Sequence, residues 1–197
     1  MVNLLIGTTG SVASIKVPEL VAGFYGIPNV HVKVISTQNS LRFYSPSQLN
    51  GAKLYTDEGE WQVWSKKGDP VVHIDLRKWA DIMVVVPLDA HTLAKIANGL
   101  CDNLLTCVLR AWDFSKPCIV CPAMNTHMWD HPFTAKHLRV LTEELGIKVI
   151  SPISKLLACG DTGVGAMAEP QDIITRVQSY MNDLIPSPSP KDQKLCN

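Results

Sequence analysis

The sequence predicts a single α/β domain with a doubly wound, parallel sheet. Helices cover both faces of this sheet, which gives a three-layer αβα architecture. Short apolar runs alternate with helical patterns along the chain, which is typical of parallel strands joined by crossover helices. Residues 82–86 are all apolar, as expected for a strand covered on both faces. A glycine-containing turn, residues 7–12, joins the first apolar run to the first helical pattern.

Each element has its own signal in the sequence. Apolar and β-branched runs predict strands at residues 2–7, 30–36, 81–86, 118–121 and 147–150. Helical patterns are found at residues 10–23, with a bend near Pro18, and at 90–98, 103–112, 134–145 and 170–184. Gly146 is expected to end the fourth of these helices. Residues 41–68 are expected to be irregular and aromatic, 71–74 extended, and 76–80 a helical turn.

The domain boundaries follow from composition. Residues 1–185 carry all the predicted elements and form the domain, which is long enough to bury a full core. Residues 186–197 begin with Pro-Ser-Pro-Ser-Pro and continue with charged residues. Such a segment has little apolar surface to bury, and we expect a disordered tail.

Composition excludes several classes of function. The chain of 197 residues has 46% apolar residues, with 18 basic and 18 acidic side chains that leave no net charge. A neutral protein lacks the electrostatic footprint of a nucleic-acid or anionic-membrane binder. No apolar run approaches the roughly 20 residues that span a bilayer, and the N-terminus has no signal-peptide pattern. We expect neither nucleic acid nor membrane as a partner, and a cytoplasmic location.

The cysteines are interpreted as reduced thiols of a cytosolic protein. Six cysteines are spread along the chain without a dense spacing pattern, and a chain of this length needs no disulfide framework. Cys118 and Cys121 form a C-x-x-C pattern inside a predicted strand. Positions i and i+3 of a strand point to opposite faces, so we expect neither a metal site nor a redox pair here.

Two polar turns are candidates for binding a phosphate-bearing cofactor. The turn at residues 7–12 offers glycines, hydroxyls and a helix N-terminus, which together can hold a phosphate. The NAD fingerprint requires an acidic residue after the second strand, and this chain has none there. A mononucleotide is therefore favoured over NAD. The turn at residues 87–92 has two open interpretations. Asp89 either caps the following helix or lines a pocket shared with the first turn.

A third loop, PAMNTHMW at residues 122–129, follows a buried strand and therefore lies where α/β sheets bind ligands. Two thioethers, an amide and an indole suit a flat apolar ring and one small polar group. The loop matches Pro-x-Met-Asn-x-x-Met-Trp, and it occurs together with three further motifs in a fixed order. These are DPVVHIDL at residues 69–76, GLCDNLLT at 99–106, and LACGD followed by GAMAEP at 157–170. With these motifs the chain resembles the flavin-dependent cysteine decarboxylases, from residue 2 to about residue 184.

The resemblance implies a flavodoxin-like, Rossmann-like fold that binds FMN and forms homotrimers with active sites between subunits. It implies decarboxylation of 4'-phospho-N-pantothenoylcysteine to 4'-phosphopantetheine, in coenzyme A synthesis. A cysteine carboxylate has no electron sink, whereas oxidation of its thiol to a thioaldehyde makes loss of CO2 favourable. The enethiol that results is then reduced. The cofactor performs the oxidation and the reduction, and the protein positions the substrate and supplies protons.

The resemblance also assigns roles to individual residues. His73 is the expected base, which suits a side chain with a pKa near neutrality, and Cys159 is the expected proton donor on a flap. The substrate-binding residues are expected to be Asn125, Met128 and Ala158. The residues expected to bind FMN are Gly10, Ser11, Val12, Thr37, Phe43, Asp89, Ala90, Thr92 and Ala123.

Two positions depart from the usual family pattern, and three other functions compete. His91 stands where Asn is usual, and Leu156 stands where a basic residue is usual, with Lys155 immediately before it.

The main alternative is a flavoprotein regulatory subunit of the halotolerance type, which is disfavoured because His73, Asn125 and Cys159 are all present. A peptide-cysteine decarboxylase would not need Cys159, and a flavin-prenylating decarboxylase partner does not fit the motifs.

Overall fold

The computed structural model describes residues 1–156, 160 and 162–184. Its main sheet has six parallel strands: β1 (Val2–Thr8), β2 (Val30–Ser36), β3 (Lys53–Tyr55), β4 (Ile82–Leu88), β5 (Cys118–Pro122) and β6 (Lys148–Val149). They lie in the order β3-β2-β1-β4-β5-β6. Without the short edge strand β3, this is the flavodoxin-like order 2-1-3-4-5. The strand order reverses between β1 and β4, and the crevice there is where such folds bind ligands.

Helices cover both faces of the sheet. The α-helices are α1 (Val17–Tyr25), α2 (Asp57–Val63), α3 (Val72–Trp79), α4 (Ala90–Ala97), α5 (Leu104–Arg110), α6 (Thr126–Trp129), α7 (Pro132–Arg139) and α8 (Pro170–Leu184). Apolar residues of α1 and α8 pack with Leu4 and Ile6 on one face. Residues of α3, α4 and α5 pack with Leu5 on the other face. Alternate residues of β1 therefore serve two separate cores, and the expected three-layer, doubly wound fold is confirmed.

An antiparallel hairpin extends from the end of the main sheet. Its strands are β7 (Ile153–Leu156) and β8 (Thr162–Ala166). The sequence did not predict these strands, because their residues are mostly exposed and lack the apolar alternation of a sheet with a buried face. The expected disordered tail at residues 186–197 lies outside the described residues.

Most predicted elements are confirmed, and three need correction. Residues 71–74 are not extended, because α3 begins at Val72 and buries Val72 and Leu76 one turn apart. The helix predicted at residues 10–23, with a bend near Pro18, is not a single α-helix. A 3₁₀ turn at Val12–Lys16 precedes α1, and Pro18 lies in the first turn of α1, where its missing N–H breaks no helical bond.

The third correction concerns residues 41–68, which are not wholly irregular. They contain two short 3₁₀ turns (Ser40–Arg42 and Pro46–Gln48), strand β3 and helix α2. The predicted helix at 134–145 begins at Pro132 and closes in a π turn, Val140–Glu144, before Gly146 at φ +67°. Among the described helices, none combines the length and the apolar character needed to cross a membrane.

Candidate cofactor and substrate site

A pocket of about 420 Å³ lies at the carboxyl ends of β1, β4 and β5, beside the point where the strand order reverses. This volume is within the range of roughly 300–1,000 Å³ that is typical of small-molecule sites. The pocket brings together most of the site residues predicted from the sequence. Those that line it are Gly10, Ser11, Val12, Asp89, Ala90, Ala123, Asn125 and Met128.

Hydrogen bonds brace the two polar turns against each other. The buried Thr9 hydroxyl donates to the Pro87 carbonyl at 2.8 Å and accepts from the Asp89 N–H at 2.8 Å. One Asp89 oxygen accepts from the Gly10 N–H at 3.0 Å, and the other accepts from the Thr92 N–H at 2.6 Å. Asp89 therefore caps α4 and also lines the pocket, so both interpretations of this residue hold. We call these two turns, residues 8–12 and 87–92, the pocket floor.

The third loop forms the pocket wall after β5. Ala123 is buried and its N–H donates to the Leu88 carbonyl at 2.9 Å, which ties the loop to the floor. The Asn125 side-chain oxygen accepts from the His127 N–H at 2.8 Å and so caps α6. Met128, on α6, leaves half of its side chain exposed at the pocket. The wall thus offers apolar atoms around a single amide group.

The hairpin approaches this wall closely through its glycines. The Met124 N–H donates to the Gly165 carbonyl at 2.9 Å. Gly165 has φ +147°, and a Cβ at that position would lie 2.3 Å from the Met124 carbonyl oxygen. A Cβ at Gly163 would lie 2.5 Å from the Thr126 hydroxyl. The approach of the hairpin therefore depends on two residues without side chains. We call the hairpin with residues 167–169 the pocket rim.

One ion pair joins the hairpin to the segment before α8. Lys155 Nζ lies 2.7 Å from Glu169 Oε1, and both side chains line the pocket. The hydrogen bond from Lys155 lowers the pKa of the Glu169 carboxyl, and the positive charges of Lys155 and Lys16 lower it further. The Glu169 carboxyl is therefore charged at neutral pH.

Other predicted site residues lie outside the lining of the pocket. Thr92 is buried at the start of α4, and Phe43 follows the 3₁₀ turn at Ser40–Arg42. Thr37 follows β2, and its buried hydroxyl oxygen has no hydrogen-bond partner among the described residues. Ala158 and Cys159, the expected substrate contact and proton donor, lie outside the described residues.

His73 also lies away from the pocket, on the first turn of α3. Its Nδ1 is 2.7 Å from Glu60 Oε1, on the neighbouring helix α2. Glu60 was not predicted from the sequence, because it is thirteen residues away and the packing of α2 on α3 brings the two together. Exposed tryptophans stand on the same part of the surface, Trp61 on α2 and Trp64 immediately after it.

The two residues that depart from the family pattern, His91 and Leu156, both lie in the described part of the chain. His91 is exposed on α4 and is absent from the pocket lining. Leu156 lines the pocket, yet its side chain is largely exposed. Sequence reasoning also missed the pocket contacts of Met124, Met167 and Glu169. Met124 belongs to the PAMN motif, and Met167 and Glu169 belong to the GAMAEP motif, but neither motif assigned these three residues a role.

The residues present fit a flavin mononucleotide. A Cβ on Gly10 would lie 2.8 Å from the Asn39 side chain, so only glycine lets the first turn pass this close to the loop after β2. Thr37, in that loop, holds a buried hydroxyl without a partner among the described residues, which is the kind of group a bound ligand satisfies. The pocket itself supplies a mainly apolar wall with few polar groups, as a flat ring requires.

The sequence and fold match known proteins over nearly the whole chain. A family model described as Flavoprotein matches residues 1–182. The chain is 51% identical over 180 residues to phosphopantothenoylcysteine decarboxylase of Mus musculus, covering 91% of this chain and 87% of the relative.

Two solved structures are similar in fold. One is a cysteine-to-serine mutant of PPC decarboxylase complexed with pantothenoylaminoethenethiol, with a TM-score of 0.88, 52% identity and coverage of 91% and 98% of the two chains. The other is the FMN binding protein AtHal3, with a TM-score of 0.85, 52% identity and coverage of 92% and 97%. The chain therefore belongs to the flavoprotein family, in the group that contains the phosphopantothenoylcysteine decarboxylases.

Proposed function

We propose that this protein is an FMN-dependent decarboxylase that converts 4'-phospho-N-pantothenoylcysteine to 4'-phosphopantetheine in coenzyme A synthesis. The observation that carries the proposal is the pocket at the sheet's switch point. Two independent sequence motifs, the first turn with Gly10 and the PAMN loop with Asn125, line that one cavity together with Asp89. The family membership of the chain gives the substrate and the cofactor.

The chemistry divides between the cofactor and the chain. A bound flavin supplies the reversible two-electron oxidation of the substrate thiol, on which loss of CO2 depends. The floor would hold the cofactor, with Gly10 to Val12 at its phosphate-binding turn and Asp89 fixing both turns. Asn125 would donate an amide hydrogen bond to the substrate carboxylate, and Met128 would pack on its apolar portion. Ala158 would complete the substrate site.

His73 would be the base that takes the proton of the thiol. Glu60 accepts from Nδ1–H at 2.7 Å in the corresponding tautomer, which makes Nε2 the nitrogen that accepts a proton. Cys159 would return a proton to the product, which is the role that the resemblance assigns to it.

We further propose that the protein works as a homotrimer, with His73 entering the pocket of a neighbouring subunit. The distance of His73 from the pocket of its own subunit supports this arrangement. So do the exposed apolar side chains beside it, Trp61 and Trp64, because large exposed apolar groups clustered on one surface are typical of an interface.

Subunit mixing tests the shared site. His73→Asn and Asn125→Asp variants, each inactive alone, are mixed after mild dissociation, and about a quarter of the interfaces then combine an intact His73 with an intact Asn125. Recovery of about a quarter of wild-type activity is expected, with a trimer mass by light scattering. A monomeric mass, or no recovery from a reassembled trimer, would contradict the shared site.

The activity itself is tested by mass spectrometry of products. The FMN-loaded protein should release CO2 and 4'-phosphopantetheine from 4'-phosphopantothenoylcysteine. A Cys159→Ser variant should stop at the oxidised enethiol. A protein that binds FMN without turning over this substrate would instead support the regulatory-subunit alternative.

A cytoplasmic location is also proposed, because thiols stay reduced in that compartment. Cys101, Cys107, Cys118 and Cys121, in the described part of the chain, are free thiols, which is the usual state in a reducing compartment. Cell fractionation with an antibody to the protein would check it.

A further inference from the structure

Charged side chains surround the mouth of the pocket, and Lys155 is central among them. Lys155 lies on β7 and contacts Glu169, and both line the pocket. Lys16 also lines the pocket, and its Nζ lies 3.1 Å from Glu19 Oε2. Lys16 is close enough to Glu169 to help lower the pKa of that carboxyl. Two ammonium groups therefore face the pocket, each held by one carboxylate.

The Lys155–Glu169 ion pair can be broken with little loss of free energy. The Lys155 side chain is 56% exposed and that of Glu169 is 47% exposed. Exposed pairs of this kind change an equilibrium by no more than about fivefold. A phosphate monoester carries a charge of about −1.5 to −2 and three acceptor oxygens. It would therefore replace a single carboxylate on the ammonium group. The other carboxylate in the pocket, Asp89, already accepts two backbone N–H groups and does not compete.

The proposed substrate has two anionic groups, and only one suits a lysine. Its carboxylate leaves as neutral CO2, so an ammonium group bound there would stabilise the ground state more than the transition state and slow the reaction. Its phosphate keeps its charge throughout. A cation bound to the phosphate anchors the substrate without opposing the chemistry.

We infer that Lys155 recognises the substrate's phosphate, and that Glu169 holds the ammonium group at the pocket until the phosphate replaces it. The inference rests on the proposed function and names the part of the substrate that the rim binds. Lys155 and Glu169 thereby act as a specificity filter, because a ligand without a phosphate leaves the ion pair intact and gains nothing from Lys155.

Steady-state kinetics with paired substrates test this role. The FMN-loaded wild type is compared with Lys155→Met and Glu169→Gln on 4'-phosphopantothenoylcysteine and on pantothenoylcysteine. Lys155→Met should raise KM roughly tenfold for the phosphorylated substrate, change KM for the other by less than about twofold, and leave kcat unchanged. Glu169→Gln should lower KM for the phosphorylated substrate by up to about fivefold, since the competing carboxylate is gone.

A second lysine–carboxylate pair provides the matched control. Lys95 Nζ lies 2.7 Å from Asp102 Oδ1, and neither side chain lines the pocket. Lys95→Met should leave the KM ratio of the two substrates unchanged. An equal rise of both KM values in Lys155→Met would overturn the inference in favour of a structural role. Loss of FMN from that variant would assign the contact to the cofactor's phosphate, and would overturn it as well.

A binding measurement separates this inference from the proposed function. Calorimetric titration of the FMN-loaded protein with 4'-phosphopantothenate and with pantothenate needs no turnover. The wild type should bind the phosphorylated compound roughly tenfold more tightly, and Lys155→Met should lose that preference. Equal affinities in the wild type would overturn the inference. A phosphate preference without turnover would instead mean that the proposed activity has failed and phosphate recognition stands.

Discussion

The floor and the rim of the pocket are built in different ways. In the floor, buried Thr9 and partly buried Asp89 connect two strand ends through three hydrogen bonds to backbone groups, and a fourth caps α4. In the rim, the hairpin strands are mostly exposed, and the hairpin meets the wall through backbone contacts at Gly163 and Gly165. A preformed floor suits a cofactor that stays bound, whereas a lightly attached rim suits a substrate that must enter and leave.

The largest expected effect comes from adding a methyl group to the rim. Gly165→Ala would place a Cβ 2.3 Å from the Met124 carbonyl oxygen. The strain, about 1–3 kcal/mol, is relieved if the hairpin moves away from the wall. Because displacement of a substrate-binding element by about 1 Å can reduce rates roughly a hundredfold, we expect such a loss in kcat/KM, with FMN affinity and the unfolding midpoint nearly unchanged.

Gly146→Ala is the matched control for that variant. Gly146 also has a positive φ, +67°, but a Cβ there meets nothing within 4 Å, and the residue is absent from the pocket lining. It should lower the free energy of unfolding by about 1–2 kcal/mol and keep wild-type kcat/KM. If Gly165→Ala keeps full activity as well, the close approach of the hairpin has no role in the site.

The next effect tests the floor. Asp89→Ala removes the acceptor for the Gly10 and Thr92 N–H groups. FMN affinity, measured by flavin fluorescence, should fall roughly tenfold, and loss of the cap should lower the free energy of unfolding by about 0.5–2 kcal/mol. Asp89→Asn should be intermediate, because its amide oxygen can still accept from Thr92 while its NH2 cannot accept from Gly10.

Asn103→Ala separates cap loss from cofactor binding. The Asn103 side chain accepts from the Thr106 N–H at 2.9 Å and caps α5, outside the pocket lining. This variant should show a similar loss of stability with unchanged FMN affinity. A drop in FMN affinity in Asn103→Ala as large as in Asp89→Ala would mean that helix capping in general, and not the brace between the turns, governs cofactor binding.

The same contrast explains what could be predicted from the sequence. The floor was predictable because its chemistry is local: a turn after an apolar strand and Asp89 at a helix start. The family motifs supplied Asn125 and Met128. The rim could not be predicted, because the Lys155–Glu169 pair joins residues fourteen apart, and the place of the hairpin is set by contacts with Met124.

Helix α3 shows the same limit within the fold. Val71, Val72 and Ile74, at and just before its start, are β-branched residues that favour strands, and they suggested an extended segment. The helix forms because Val72 and Leu76 pack into the core against α5 and the sheet. Tertiary burial therefore overrides local preference, and the same packing produces the His73–Glu60 contact that no sequence pattern indicated.

A smaller effect is expected beneath the loop after β2. The Tyr44 hydroxyl lies 2.9 Å from the Thr8 hydroxyl and also contacts that of Ser36, and all three residues are buried. Tyr44→Phe should lower the free energy of unfolding by about 1 kcal/mol and weaken FMN binding a few-fold, since Thr37 directly follows Ser36. Tyr25→Phe, at a side chain that is 44% exposed, should change neither quantity in a denaturation curve or an FMN titration.

The smallest expected effect is on the rate of cysteine alkylation, which reports how readily the floor and the rim open. Cys118 is the first residue of β5 and is buried in one core, and Cys121 lies in the same strand but in the opposite core. Burial raises the pKa of Cys118 to about 12, so its thiol stays protonated and unreactive at pH 8. Alkylation should therefore report only opening of the sheet, while the exposed Cys101 is labelled within minutes.

Pulsed alkylation with peptide mass spectrometry then ranks the variants. Asp89→Ala should speed labelling of Cys118, because weakening the floor lowers the free energy of opening the sheet. Gly165→Ala should leave that rate at the wild-type value, because only the hairpin moves. Labelling of Cys101 should be the same in all variants and serves as the control. If both variants accelerate Cys118 equally, the floor and the rim open as one cooperative unit, and a rim that moves over a fixed floor is no longer a correct description of this site.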